Sequence, residues 1–142
     1  MHGYTGLLGR ALNFSTGVDT AMARVRKAYP EVLTYPHRHW EWRATLPQIV
    51  ATYRKTKRPV ILSGHSMGAD AIINIAHKLA EENIPVAAMF IYDPTPFSAC
   101  VPSNVQVVVA WRNTFPFQLG GGRTAWCKSP PKGSPRSMER YD

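Results

Sequence analysis

The apolar positions of the chain follow two periods in turn. Three units of one kind succeed each other, each a short apolar, β-branched run leading through a loop into a segment of helical period. The first helix is capped by Ser15 or Thr16, carries Asp19 in its first turn and runs to Ala28, with Val18, Ala21, Met22 and Val25 on one face. Pro30 ends it. Residues 31–35 (EVLTY) read as a strand, 36–42 as a loop, and 43–55 as a helix that buries Leu46, Ile49, Val50 and Tyr53. Pro47 falls in that helix's first turn, where a missing N–H does little harm. Residues 59–63 (PVILS) are apolar on both faces, as in the middle strand of a parallel sheet with helices on each side. Residues 69–80 give a third helix, 84–92 the next strand and 105–111 (VQVVVAW) the last. The alternation predicts an α/β fold with a mostly parallel sheet and helices on both faces, occupying residues 1–111.

Beyond Trp111 the periodicity stops. Residues 112–142 hold Gly120-Gly121-Gly122, Pro130-Pro131 and scattered charge, which predicts a mostly irregular tail. The net charge of +8 draws on this segment, where Arg112, Arg123, Lys128, Lys132, Arg136 and Arg140 face only Glu139 and Asp142. Aromatic and basic residues are not interleaved at a binding spacing, so a solvated tail is expected and no nucleic-acid partner. No run of about 18–20 apolar residues occurs, and the start lacks a charged-then-apolar signal pattern. A soluble, cytoplasmic chain is the expectation. Cys100 and Cys127 permit one disulfide without requiring it.

The chemistry concentrates at Gly64-His65-Ser66-Met67-Gly68. A Gly-x-Ser-x-Gly string alone arises by chance in roughly one chain of this length in twenty, at a usage of about 7% for each residue. Its setting gives it weight, because a buried-type strand precedes it and an amphipathic helix follows at once. That is the strand–turn–helix context of a nucleophile elbow. Glycines at 64 and 68 admit the sharp turn, which would thrust Ser66 above the sheet and leave the Met67 N–H as one oxyanion donor. A second donor would come from the loop His2-Gly3-Tyr4-Thr5-Gly6, through the Tyr4 N–H.

An acid belongs at the carboxyl end of a strand after the elbow, and Asp93 before Pro94 fits. Asp70 reads as a carboxylate of the elbow helix's first turn, favoured there by the dipole. The base is harder to find. The five histidines are His2, His37, His39, His65 and His77, and none follows Asp93. His37 and His39 lie past a strand end and are the candidates for a displaced base, while His77 reads as a boundary residue of its helix. No metal site is expected, since His37 and His39 lack further ligands in view, and no cofactor is implied. Trp40, Trp42, Phe97 and Met67 either line an acyl pocket or serve plain packing.

These residues resemble the bacterial α/β-hydrolase and thioesterase-like serine hydrolases, a group that also takes in esterases and lipases. The likeness rests on the glycine-containing N-terminal loop, NFSTGVDT at 13–20, GHSMGAD from Gly64 and FIYDPT at 90–95, and spans about residues 1–109. It implies a partial α/β-hydrolase fold, Ser66 as nucleophile, Asp93 as acid and a small acyl ester or thioester as substrate. It also implies an apolar strand before the His-Gly loop and a histidine near the C-terminus, and this sequence has neither. The departures predict a truncated or misassigned start and a replaced tail, for example through a reading-frame change. They also predict that PVILS is left with an unpaired apolar edge. The leading function is a serine hydrolase, the second an inactive or binding-only remnant without the triad histidine, and a third makes the basic tail the functional part, anchoring to nucleic acid or acidic membrane.

Overall fold

In the computed structural model, which describes residues 16–114, 122–130 and 132–142, strands and helices alternate as an α/β fold requires. Helix α1 spans Thr16–Ala28, a single 3-10 turn at His39–Glu41 leads into α2, Trp42–Thr56, and β1 is Val60–His65. Helix α3, Met67–Glu81, follows β1 after one residue, and β2, β3 and β4 are Val86–Tyr92, Val105–Trp111 and Ser137–Tyr141. All four strands are parallel and stand in the order β1-β2-β3-β4.

Register explains the core. Leu62, Met89, Val108 and Met138 lie side by side across the sheet, with Gly64, Ile91, Ala110 and Arg140 in the next row on the same face. Helix α3 covers that face against β1 and β2, burying Ile72, Ile75, Ala76 and Leu79 completely or nearly so. Each such isoleucine or leucine side chain stabilises the fold by roughly 1.5–3 kcal/mol. Helix α2 packs behind α3 and applies Leu46, Ile49, Val50 and Tyr53 to the core, the face its sequence period predicts. Its start is one residue earlier than expected, so Pro47 stands at the sixth helical position and not in the first turn. The opposite face of the sheet is more open: Ile61 is 59% exposed, and Tyr92 and Val107 are exposed too.

Four expectations are corrected. Residues 31–35 form no strand; a β-branched run needs a partner strand, and here its backbone acceptors are taken by side chains, Arg58 Nη1 donating to the Glu31 carbonyl at 2.8 Å and Arg26 Nη2 to that of Thr34 at 3.2 Å. PVILS is not the middle of the described sheet but its edge. The apolar stripe of α1 is not buried: Ala21 and Val25 are exposed, and among the described residues α1 makes no extensive contact with another element. The tail is also less irregular than expected. Ser137–Tyr141 adds a fourth strand, and Trp126 forms a parallel bridge to Val101 while a disulfide joins Cys100 to Cys127. Among the described residues no helix is long and apolar enough to cross a membrane.

Candidate active site

Ser66 is the single residue between the last position of β1 and the first of α3. A reversal in so few atoms demands an unusual backbone, and Ser66 adopts φ 54°, ψ −128°, a region that costs a non-glycine residue about 1–3 kcal/mol. Neighbouring hydrogen bonds maintain it. The Ser66 N–H donates to the Tyr92 carbonyl at 2.9 Å, tying the turn to the end of β2, while the Ser66 carbonyl accepts from Ala69 N at 2.8 Å and Asp70 N at 3.4 Å. A β-carbon on Gly64 would stand 2.3 Å from the Gly68 carbonyl oxygen, so only glycine lets the helix start against the strand. The Ser66 hydroxyl caps none of the helix N–H groups. Met67 opens α3, where an N–H has no intrahelical acceptor and points at the space before the helix.

Asp93 follows β2 directly, at the same carboxyl edge, with φ 48°. Its N–H donates to the Trp111 carbonyl at 2.7 Å and its Oδ1 accepts from Asn113 N at 3.1 Å, so the ends of β2 and β3 fix it. His65 is registered against Tyr92. Burial lowers the pKa of its imidazole, and the Asp93 charge partly opposes this. The carboxylate that sequence assigned to orienting a base thus acts electrostatically on a histidine inside the elbow.

The other site residues divide. Tyr4 and its loop lie outside the described residues. His37 precedes and His39 opens the 3-10 turn that leads into α2, and only residues 57–59 separate α2 from β1. That turn packs against α3. His37 Nδ1 is 4.0 Å from Glu41 Oε2, and its Nε2 is buried without a hydrogen-bond partner among the described residues. His39 meets the Trp40 ring edge-on. His77 is far down α3, bonded to the Cys100 carbonyl. None of these contacts is to Ser66. Trp42 packs against the core, and Phe97 is 93% exposed, so neither closes an acyl pocket in this structure.

Two tertiary contacts hold the loop after Asp93. Asp70 accepts from Thr95 N at 3.3 Å, from Thr95 Oγ1 at 2.7 Å and from Ser98 Oγ, and so ties the first turn of α3 to the loop after Asp93. Gly122 closes on the same loop, donating to the Pro94 carbonyl at 2.8 Å. Neither contact has a local sequence signal, since the partners stand more than 20 residues apart. A cleft of about 320 Å³ opens between the ends of β3 and β4 and residues 122–125, with Arg112, Arg123 and Arg140 in its wall; Ser66 and Asp93 do not line it.

Compared with known proteins, the chain matches no family model, no curated protein and no solved structure.

Proposed function

We propose that the chain is a serine hydrolase of acyl esters or thioesters, with Ser66 as its nucleophile. The observation that carries this reading is the Ser66 backbone at φ 54°, ψ −128°, in a one-residue strand-to-helix turn. Such strain persists where a side chain must stand clear of its neighbours, and here it presents a hydroxyl beside the unpaired N–H groups of a helix start. In this reading Ser66 Oγ attacks the acyl carbon, and the Met67 and Tyr4 N–H groups receive the oxyanion. Asp93 orients the base, and His37 or His39, from the segment before α2, supplies it. A cytoplasmic setting belongs to this reading and would hold Cys100 and Cys127 reduced.

The second reading is a remnant that binds acyl compounds without turning them over. Two histidines favour it by being engaged elsewhere, His37 beside Glu41 and His77 on the Cys100 carbonyl. Loss of one triad member still leaves about 10³- to 10⁴-fold catalysis over water from the oxyanion hole and binding. A fluorophosphonate probe separates the two. Labelling of the folded chain at an ordinary serine-hydrolase rate, abolished by Ser66→Ala, supports the enzyme; a folded chain that resists the probe supports the remnant. If labelling occurs, His37→Ala or His39→Ala should slow it by at least about 10²-fold, and unchanged rates in both would remove the displaced base.

A further inference from the structure

Away from the elbow, three side chains from separate parts of the chain converge. His77 projects from the later turns of α3, half-buried, with Nε2 2.9 Å from the Cys100 carbonyl oxygen and 4.0 Å from Cys127 Sγ. Cys100 and Cys127 form a disulfide across a separation of 27 residues, and the ligand atoms of all three lie within 4.8 Å of one another. Two cysteine sulfurs and one imidazole nitrogen are the donor set of borderline-soft ions such as Zn²⁺.

The backbone holds the two cysteines together independently of their bond. Between them Val101 is fully buried; its N–H donates to the Ala125 carbonyl at 2.8 Å, and its carbonyl accepts from Cys127 N at 2.9 Å. Trp126 completes that parallel bridge, and the Arg136 guanidinium lies over its ring at 5.5 Å. None of these contacts runs through the disulfide, so a chain that keeps them on reduction would hold two thiols on Cα atoms about 4.8 Å apart, facing one imidazole. In a tetrahedral site with Zn–S near 2.3 Å and Zn–N near 2.0–2.1 Å, ligand atoms stand roughly 3.5–3.8 Å apart. The sulfurs need only side-chain rotation to reach that spacing, and the imidazole is already close to it. Cys127 is exposed, which leaves a face for entry and for a solvent ligand.

We propose that His77, Cys100 and Cys127 form a redox-gated site for a Zn²⁺-class ion, closed as a disulfide when oxidised and open to metal when reduced. A dithiol reductant supplies two electrons and two protons: the Cys100–Cys127 S–S bond breaks, two thiols form, and the reductant becomes its own disulfide. Metal binding then releases the two thiol protons. His77 gives up its bond to the Cys100 carbonyl, carries its proton on Nδ1 and ligates through Nε2. In the metal-bound form α3 is pinned to the 100–127 segment by coordination in place of the covalent link.

The test uses the untagged full chain, treated with a phosphine reductant or left oxidised, and titrated with Co²⁺ as the spectroscopic probe. The reduced chain should bind one Co²⁺ with thiolate-to-cobalt absorption that Zn²⁺ abolishes, and the oxidised chain should show no such band. His77→Gln keeps an amide donor for the Cys100 carbonyl but removes the ring ligand. It should retain the fold and weaken Co²⁺ binding by at least about 100-fold, since even indirect partners of a metal site are worth 10- to 100-fold. A reduced, folded wild-type chain without the absorption overturns the proposal, as does wild-type affinity in His77→Gln. If reduction alone unfolds the chain, Zn²⁺ must restore its circular dichroism in the wild type and fail to do so in His77→Gln; failure in the wild type overturns the proposal equally.

Discussion

The β-carbon that Gly64 lacks would stand 2.3 Å from the carbonyl oxygen of Gly68. One is the penultimate residue of a strand and the other the second residue of a helix, and the tight turn at Ser66 needs them to touch. The obstructing atoms are backbone, so no side chain can rotate away. Gly64→Ala should therefore destabilise the fold toward the upper end of the roughly 1–3 kcal/mol typical of overpacking. Chemical denaturation checks this, and an unchanged midpoint would mean that the strand and helix do not meet so closely.

Asp70 should matter for more than its place in the first helical turn. A carboxylate that only complements the dipole is worth about 0.3–1 kcal/mol, and alanine and asparagine would remove that equally. Asp70 instead accepts three hydrogen bonds from Thr95 and Ser98. Asp70→Ala leaves those donors without their acceptor and should cost about 1–3 kcal/mol, whereas Asp70→Asn retains one oxygen and should cost distinctly less. Proteolysis within residues 94–98, where Phe97 is exposed, should accelerate in the alanine variant first. Equal losses in the two variants would return Asp70 to a dipole role.

The elements legible in the sequence are those whose pattern follows from burial. The α2 face of Leu46, Ile49, Val50 and Tyr53 packs as its period predicts, and Gly64 to Gly68 makes the turn its glycines require. Misreadings came where pairing, not pattern, decides. Residues 31–35 have strand composition but no strand beside them among the described residues, whereas β4 has one only because β3 offers an edge. Ser137, Glu139 and Arg140 give β4 no apolar alternation, as suits a charged edge strand. The clamp at Asp70 and the group around His77 are tertiary meetings across more than 20 residues, which no spacing rule reports.

Tyr92, Trp111 and Tyr141 share one row of the sheet and stack in sequence, with ring centroids 4.6 Å and 5.6 Å apart. This stack fastens β4 to the sheet where its own apolar content is small. Stacked pairs contribute about 0.5–1.5 kcal/mol each beyond area burial. Trp111→Leu, which preserves much of the apolar surface but loses both pairs, should cost about 1–3 kcal/mol, and Tyr141→Leu, which loses one, about half. Near-ultraviolet circular dichroism should fall in both. Equal costs for the two variants would show that the stack is not the fastening.

His65 gives the pH dependence a definite sign. Burial lowers its pKa below the ordinary imidazole value of about 6.5, the Asp93 charge opposing in part. The unfolded chain therefore binds the proton more readily than the folded one. Stability from this group is complete above about pH 6.5 and declines as pH falls from there through the folded value. His65→Gln should flatten the stability profile between about pH 5 and 7 while changing it little above. Asp93→Asn should act in the other direction, removing the charge that supports the imidazolium, so that the His65 ring titrates lower still when followed by NMR. A His65 resonance whose midpoint rises in Asp93→Asn would break the link between these two residues.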